Sequence, residues 1–126
     1  MNEKIDALKT ADEYMYNLKR GIKSVVDKFQ SGKENDALNL LPFVIDGLQW
    51  MAQIVVLTKD VQRGEINLSK FNCKLEEAVK AIENEDYVLI SDIFDYEIIP
   101  ILEDTHKVIK NSIALYGCKD IKYERN

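Results

Sequence analysis

Residues 3–30 read EKIDALKTADEYMYNLKRGIKSVVDKFQ, and within them Leu8, Ala11, Met15, Leu18, Ile22, Val25 and Phe29 recur at alternating spacings of three and four. That alternation keeps all of these apolar side chains on one face of a long helix. Lys9, Asp12, Lys19, Lys23 and Asp27 fall opposite as a solvated face, and Ser31-Gly32 supplies a stop. A helix with one apolar stripe must bury it against other elements, so the rest of the chain is read for partners.

Three further segments supply them. Asn35 or Asp36 is placed to cap a second helix that turns Leu41, Val44, Leu48, Met51 and Val55 inward and is ended by Gly64. Pro42 either kinks this helix or marks its true first turn, with Asn39 as the cap. Asn67 or Ser69 caps a third helix carrying Leu68, Phe71, Leu75, Val79 and Ile82. After the polar joint Asn84-Glu85-Asp86 a fourth segment runs from Tyr87 to Tyr116 and stops at Gly117. Pro100 inside it removes one backbone hydrogen bond and crowds the Tyr96 carbonyl, which predicts a kink near residues 96–100 or two stacked helices.

The expected fold is therefore all-α, an antiparallel four-helix bundle (up-down-up-down) with proline kinks in the second and fourth helices. Residues 1–117 form the bundle domain, and residues 118–126 a polar, frayed C-terminal tail. An irregular helical array with the prolines as corners is the rival. Ile and Val around residues 54–57 and 88–101 would also suit buried strands, but the length of the periodic stretches favours helix.

Composition excludes several functions. With 5 Gly and 2 Pro in 126 residues there is little material for the turns of an all-β fold. A net charge of -5 repels phosphate backbones and anionic lipid, so neither nucleic acid nor a membrane is an expected partner. Lys19, Arg20 and Lys23 near Tyr14 and Tyr16 are too few to reverse that. No unbroken apolar run approaches a membrane span, the start MNEKIDALKT lacks a signal peptide's apolar core, and Cys73 and Cys118 stand in no paired motif. The expected location is the cytoplasm.

The second helix is apolar on more than one stripe. Beside its core seam run Phe43, Gly47, Trp50, Ile54, Leu57 and Val61, leaving Asp46, Gln49, Gln53 and Asp60 as a narrow polar strip. A helix apolar nearly all round is buried nearly all round, either under the chain's own fourth helix or under another chain. Gly47 suits a close backbone approach in both cases.

The stretch Asn84-Glu85-Asp86-Tyr87-Val88-Leu89-Ile90-Ser91-Asp92-Ile93-Phe94-Asp95-Tyr96-Glu97 mixes acids with aromatics. Asp92 and Asp95 lie on one helical face, where they accept a basic partner, face the Lys-rich first helix, or remain a solvated acidic face. With this stretch and the run Asp46-Gly47-Leu48-Gln49-Trp50, the sequence resembles, over most of residues 10–105, a family of small all-helical proteins of Firmicutes such as clostridia and bacilli. The resemblance implies the fold class and brings no established activity and no functional residues. In size and acidic helical character the chain is also similar to flagellin export chaperones, which hold a partner helix along their surface, but their characteristic phrases are absent.

Chemistry-bearing residues are sparse. Glu103 and His106 form a Glu-x-x-His pair, the spacing used in di-iron carboxylate bundles, which need two such pairs and further glutamates. This chain has 1 His, so a metal centre would need a second copy at a dimer axis. No surrounding feature signals activation of a cysteine by His106, and the isolated glycines form no phosphate loop. The sequence thus favours a non-enzymatic protein-interaction module without a cofactor. It would self-associate, as a homodimer for example, or bind a protein segment through Phe43, Gly47, Trp50, Ile54 and Leu57. The alternative is a metal- or small-ligand-binding enzyme using Glu103 and His106.

Overall fold

The computed structural model describes the backbone of residues 2–125 and the side chains of residues 2–116. Cys118 and the expected tail at 118–126 lie outside the described side chains. The chain is all-helical, with four helices and no strand among the described residues, so the stretches at 54–57 and 88–101 are helix.

Helix α1 (Glu3–Gln30) starts at Asn2, whose side chain accepts the Lys4 amide at 2.9 Å. Every residue of the expected seam is buried, together with Ile5 and Val26. The helix closes with Gly32 at φ 76° and the Lys33 amide returning to the Lys28 carbonyl at 2.8 Å, a left-handed cap that suits glycine.

Helix α2 (Glu34–Leu57) begins at once after this turn, with Lys33 at the N-cap and no side-chain cap. Asn35, Asp36 and Asn39 therefore cap nothing; Glu34 and Asp36 sit in the first turn, where their charge favours the helix dipole. Pro42 lies inside the helix rather than in its first turn, and its ring is exposed. The helix ends at Leu57, short of Gly64. There the Thr58 hydroxyl donates to the Ile54 carbonyl at 2.6 Å and a 3-10 turn at Lys59–Val61 follows. The connection beyond is strapped to the fourth helix, because the Arg63 amide donates to Ser112 Oγ at 2.7 Å and Asn111 Nδ2 to the Arg63 carbonyl at 3.0 Å.

Helix α3 (Leu68–Glu83) is capped as expected by Asn67, which accepts the Lys70 amide at 3.0 Å. It ends with Glu85 at φ 55° and the Asp86 amide on the Ala81 carbonyl. Asp86 then caps helix α4, which spans residues 87–125 in three parts: α-helical Tyr87–Asp92, a wider π-helical stretch Ile93–Ile98, and α-helical Ile99–Arg125. The Ile99 amide donates to the Phe94 carbonyl, five residues back. This widened turn immediately precedes Pro100, whose ring would crowd a regular helix. The helix passes Gly117, the expected stop; a lone glycine weakens a helix by about 1 kcal/mol without breaking it.

Helix α1 packs against α2 and against α4 on both sides of the wide turn, while α3 packs against the first half of α4 and against α2. Leu8, Met15, Ile22, Leu48, Met51, Phe94, Leu102 and Ile109 are fully buried where these faces meet.

Candidate functional site

The two apolar stripes of α2 meet different surroundings. Gly47 is buried beneath α1: a Cβ there would collide with the Tyr14 hydroxyl and stand 3.0 Å from Leu18 Cδ1. One turn on, Trp50 is half-buried and meets the Tyr14 ring edge to face, with centroids 5.3 Å apart and planes at 80°. Ile54 is buried at 8% exposure, within the core. Phe43 and Leu57, the first and last members of this stripe within α2, stand 73% and 63% exposed, and Val61 lies beyond the helix, half-buried in the 3-10 turn. The structure thus brings Phe43, Gly47 and Trp50 together and separates Leu57 from them.

Two grooves result. Thr10, Tyr14, Phe43, Asp46, Gly47 and Trp50 line a hollow of about 390 Å³ between α1 and α2. At the other end of α2, Leu57, Val56 and Leu68 border a second hollow of about 430 Å³ against α3. Val56, 56% exposed, lies outside the expected stripe.

Counting unbroken apolar runs understates α2. By length and average hydropathy alone it is one helix apolar enough to cross a membrane, and 39% of its most apolar stretch is buried inside the fold.

A polar cluster joins α1 to α4, and it recruits residues whose positions on α1 suggested a solvated face. His106 is 4% exposed; its Nε2 lies 2.6 Å from Asp12 Oδ1 and its Nδ1 3.0 Å from Lys19 Nζ. A lysine ammonium only donates, so Nδ1 accepts from it and the ring proton sits on Nε2, donated to Asp12. Lys110 Nζ reaches the same Asp12 oxygen at 3.1 Å and lies 5.1 Å from the Tyr16 ring centroid, while Tyr16 packs edge-on against His106.

Burial holds the His106 imidazole below its ordinary pKa, with the Lys19 and Lys110 charges adding to the shift and Asp12 opposing it. Burial pushes the Asp12 carboxyl up, but hydrogen bonds from His106 and Lys110 outweigh it and leave the group below its ordinary value. Both effects favour a neutral imidazole between a carboxylate and an ammonium.

Both ring nitrogens of His106 are thus engaged by α1, and Glu103, one turn away, is exposed. No group of three or more His, Cys, Asp or Glu side chains suited to a metal occurs among the described residues. Cys73 is exposed with a free thiol. Of the acidic stretch, Glu97 pairs with Lys74 at 2.9 Å, and Asp92 is exposed.

The polar cluster went unread in the sequence because its members lie 87 and 94 positions apart. The one available sign was local: Asp12, Tyr16 and Lys19 lie on a common flank of α1, as His106 and Lys110 do on α4.

A family model described as a domain of unknown function (DUF8042) matches residues 6–108. The chain belongs to that family. The DUF8042 match covers both the α2 face and the Asp12, Lys19 and His106 cluster, and extends over nearly the residues of the resemblance noted above. No curated protein and no solved structure matches this DUF8042 chain.

Proposed function

We propose that the protein is a non-enzymatic interaction module: an antiparallel, up-down-up-down four-helix bundle, bent at Pro42 and Pro100, that binds a protein segment or a second copy through the outer face of α2. Short connections between α1 and α2 and between α3 and α4 support the antiparallel arrangement. One observation carries the binding reading: in the most apolar helix of the chain, Phe43 and Leu57 remain 73% and 63% exposed. Large apolar side chains beside open grooves are what a partner covers. Asp46 at the middle of α2, and the burial of the helix's other side against α1, favour a polypeptide over lipid as the covering group.

Sedimentation over a concentration series tests the self-association form, with Phe43→Asp and Leu57→Lys combined in one variant. The expected outcome is a parent heavier than one copy and a variant of single-copy mass with an unchanged helical signal. A parent and variant that both sediment as one copy overturn self-association. Loss of the helical signal in the variant would overturn the reading of these side chains as surface.

A further inference from the structure

We propose that the groove between α1 and α2 is a cation site, built to take the alkylammonium group of a lysine side chain presented by a bound polypeptide. This rests on the reading of the outer face of α2 as a binding surface and names the chemistry of its partner.

The groove holds three aromatic side chains, Tyr14, Phe43 and Trp50, and one carboxylate, Asp46, with no basic residue in its lining. Tyr14 and Trp50 meet edge to face at 80°, so the edge of one ring already rests on the face of the other. Phe43 stands at the rim, one turn before Asp46 and two before Trp50, which places all three side chains on one side of α2. The faces of aromatic rings carry partial negative charge and attract cations, and a carboxylate beside them adds a full charge.

The state of Asp46 sets the sign of the partner. The ion pairs among the described residues use Asp12, Asp60, Glu77 and Glu97, leaving Asp46 unpaired. Its neighbours one turn away on α2 are Pro42, Phe43, Gln49 and Trp50, none of them basic. A neutral apolar partner seated on Phe43 and Trp50 would strip water from that carboxylate and offer nothing in return, an unfavourable exchange. A cation satisfies the carboxylate and the rings together. A compact ammonium fits against a ring and the carboxylate together, whereas a planar guanidinium needs a whole ring face for stacking, and the edge-to-face contact already occupies one.

Trp50 is the only tryptophan, so its fluorescence reads the groove directly. The probes are N-acetyl-lysine methylamide, its trimethylated form, and a neutral isostere of the latter with carbon in place of the ammonium nitrogen. Saturable quenching by the two cations is expected, with the neutral isostere weaker on the order of ten-fold. Asp46→Asn should weaken the cations by a similar factor and leave the isostere unchanged. Glu76→Gln, which removes an exposed carboxylate on α3 away from the groove, should change neither.

Equal binding of the isostere and the trimethylated probe, indifference to Asp46→Asn, or no saturable signal each overturns the cation site. If the cation tests fail while the Phe43 and Leu57 variant still loses association, the α2 face stands and only the chemistry assigned to its partner is wrong. Selective cation binding by a protein that sediments as one copy upholds the site and removes self-association alone.

Discussion

At Gly47 the backbone of α2 comes so close to Tyr14 that no side chain fits between them. A methyl group there must displace an aromatic ring that is itself held against Trp50, so Gly47→Ala is expected to lose about 1–3 kcal/mol of stability in urea unfolding. Adding Tyr14→Phe, which removes the colliding hydroxyl, should recover part of the loss; no recovery would mean that the cost lies elsewhere. The contrast with Gly21 is instructive, since a Cβ there would meet Val44 at an ordinary 3.5 Å. The sequence marked Gly47 as a place of close approach but did not say to what, because a glycine records only that a side chain is missing. Elsewhere, Ser91 Oγ is buried without a hydrogen-bond partner, and nothing in the packing around it explains why a hydroxyl is there.

Helix by helix, legibility follows how strictly each segment obeys one period. The seam of α1 could be read in full because its spacing never slips. On α2 the second stripe was legible as apolar, but not as divided: α1 covers Gly47 and the core takes Ile54, while Phe43 and Leu57 are left at opposite ends. On α4 the sign of the wide turn lies in the spacing of its apolar residues. Ile90, Phe94, Ile98 and Leu102 recur at steps of four and all are buried. In a regular helix each such step drifts by about 40°, so the last would point well away from the first. A turn holding one extra residue absorbs the drift. Losing one residue inside 93–98 should therefore leave the two halves of the helix in phase, whereas losing one further along rotates everything downstream by roughly 100°. In a Pro100→Ala background, which lets the turn tighten without a proline clash, deleting exposed Tyr96 is expected to preserve a cooperative thermal melt. Deleting exposed Glu103 should abolish it by swinging His106 and Ile109 off α1. Equal damage from the two deletions would show that the turn absorbs nothing.

Across the whole molecule, the fold class and the number of helices could be read from the sequence, but the polar closure of α1 onto α4 could not, since periodicity carries no information about pairing across most of the chain. That closure makes stability depend on pH in a definite direction. His106 has a lowered pKa in the fold, so the unfolded chain takes up protons first, and stability present above the ordinary histidine value near 6.5 is lost as pH falls through and below it. Once protonated, the ring loses its acceptor for Lys19 and faces two ammonium groups, from Lys19 and Lys110, with the Asp12 carboxylate and the Tyr16 ring completing its surroundings. Asp12, also lowered, adds a separate loss below its own ordinary value near 3.8. Urea midpoints taken from pH 8 down to pH 5 should fall for the parent and flatten for His106→Asn; parallel profiles would remove the histidine from the account. The same closure carries a sense of order in time. A ribosome delivers α1 and α2 well before α4, so these two helices can pack together while synthesis continues. The join between Asp12 and His106, spanning 94 positions, has to wait until that part of α4 has been made, and until then a nascent chain carries Lys19 and Asp12 with nothing to hold.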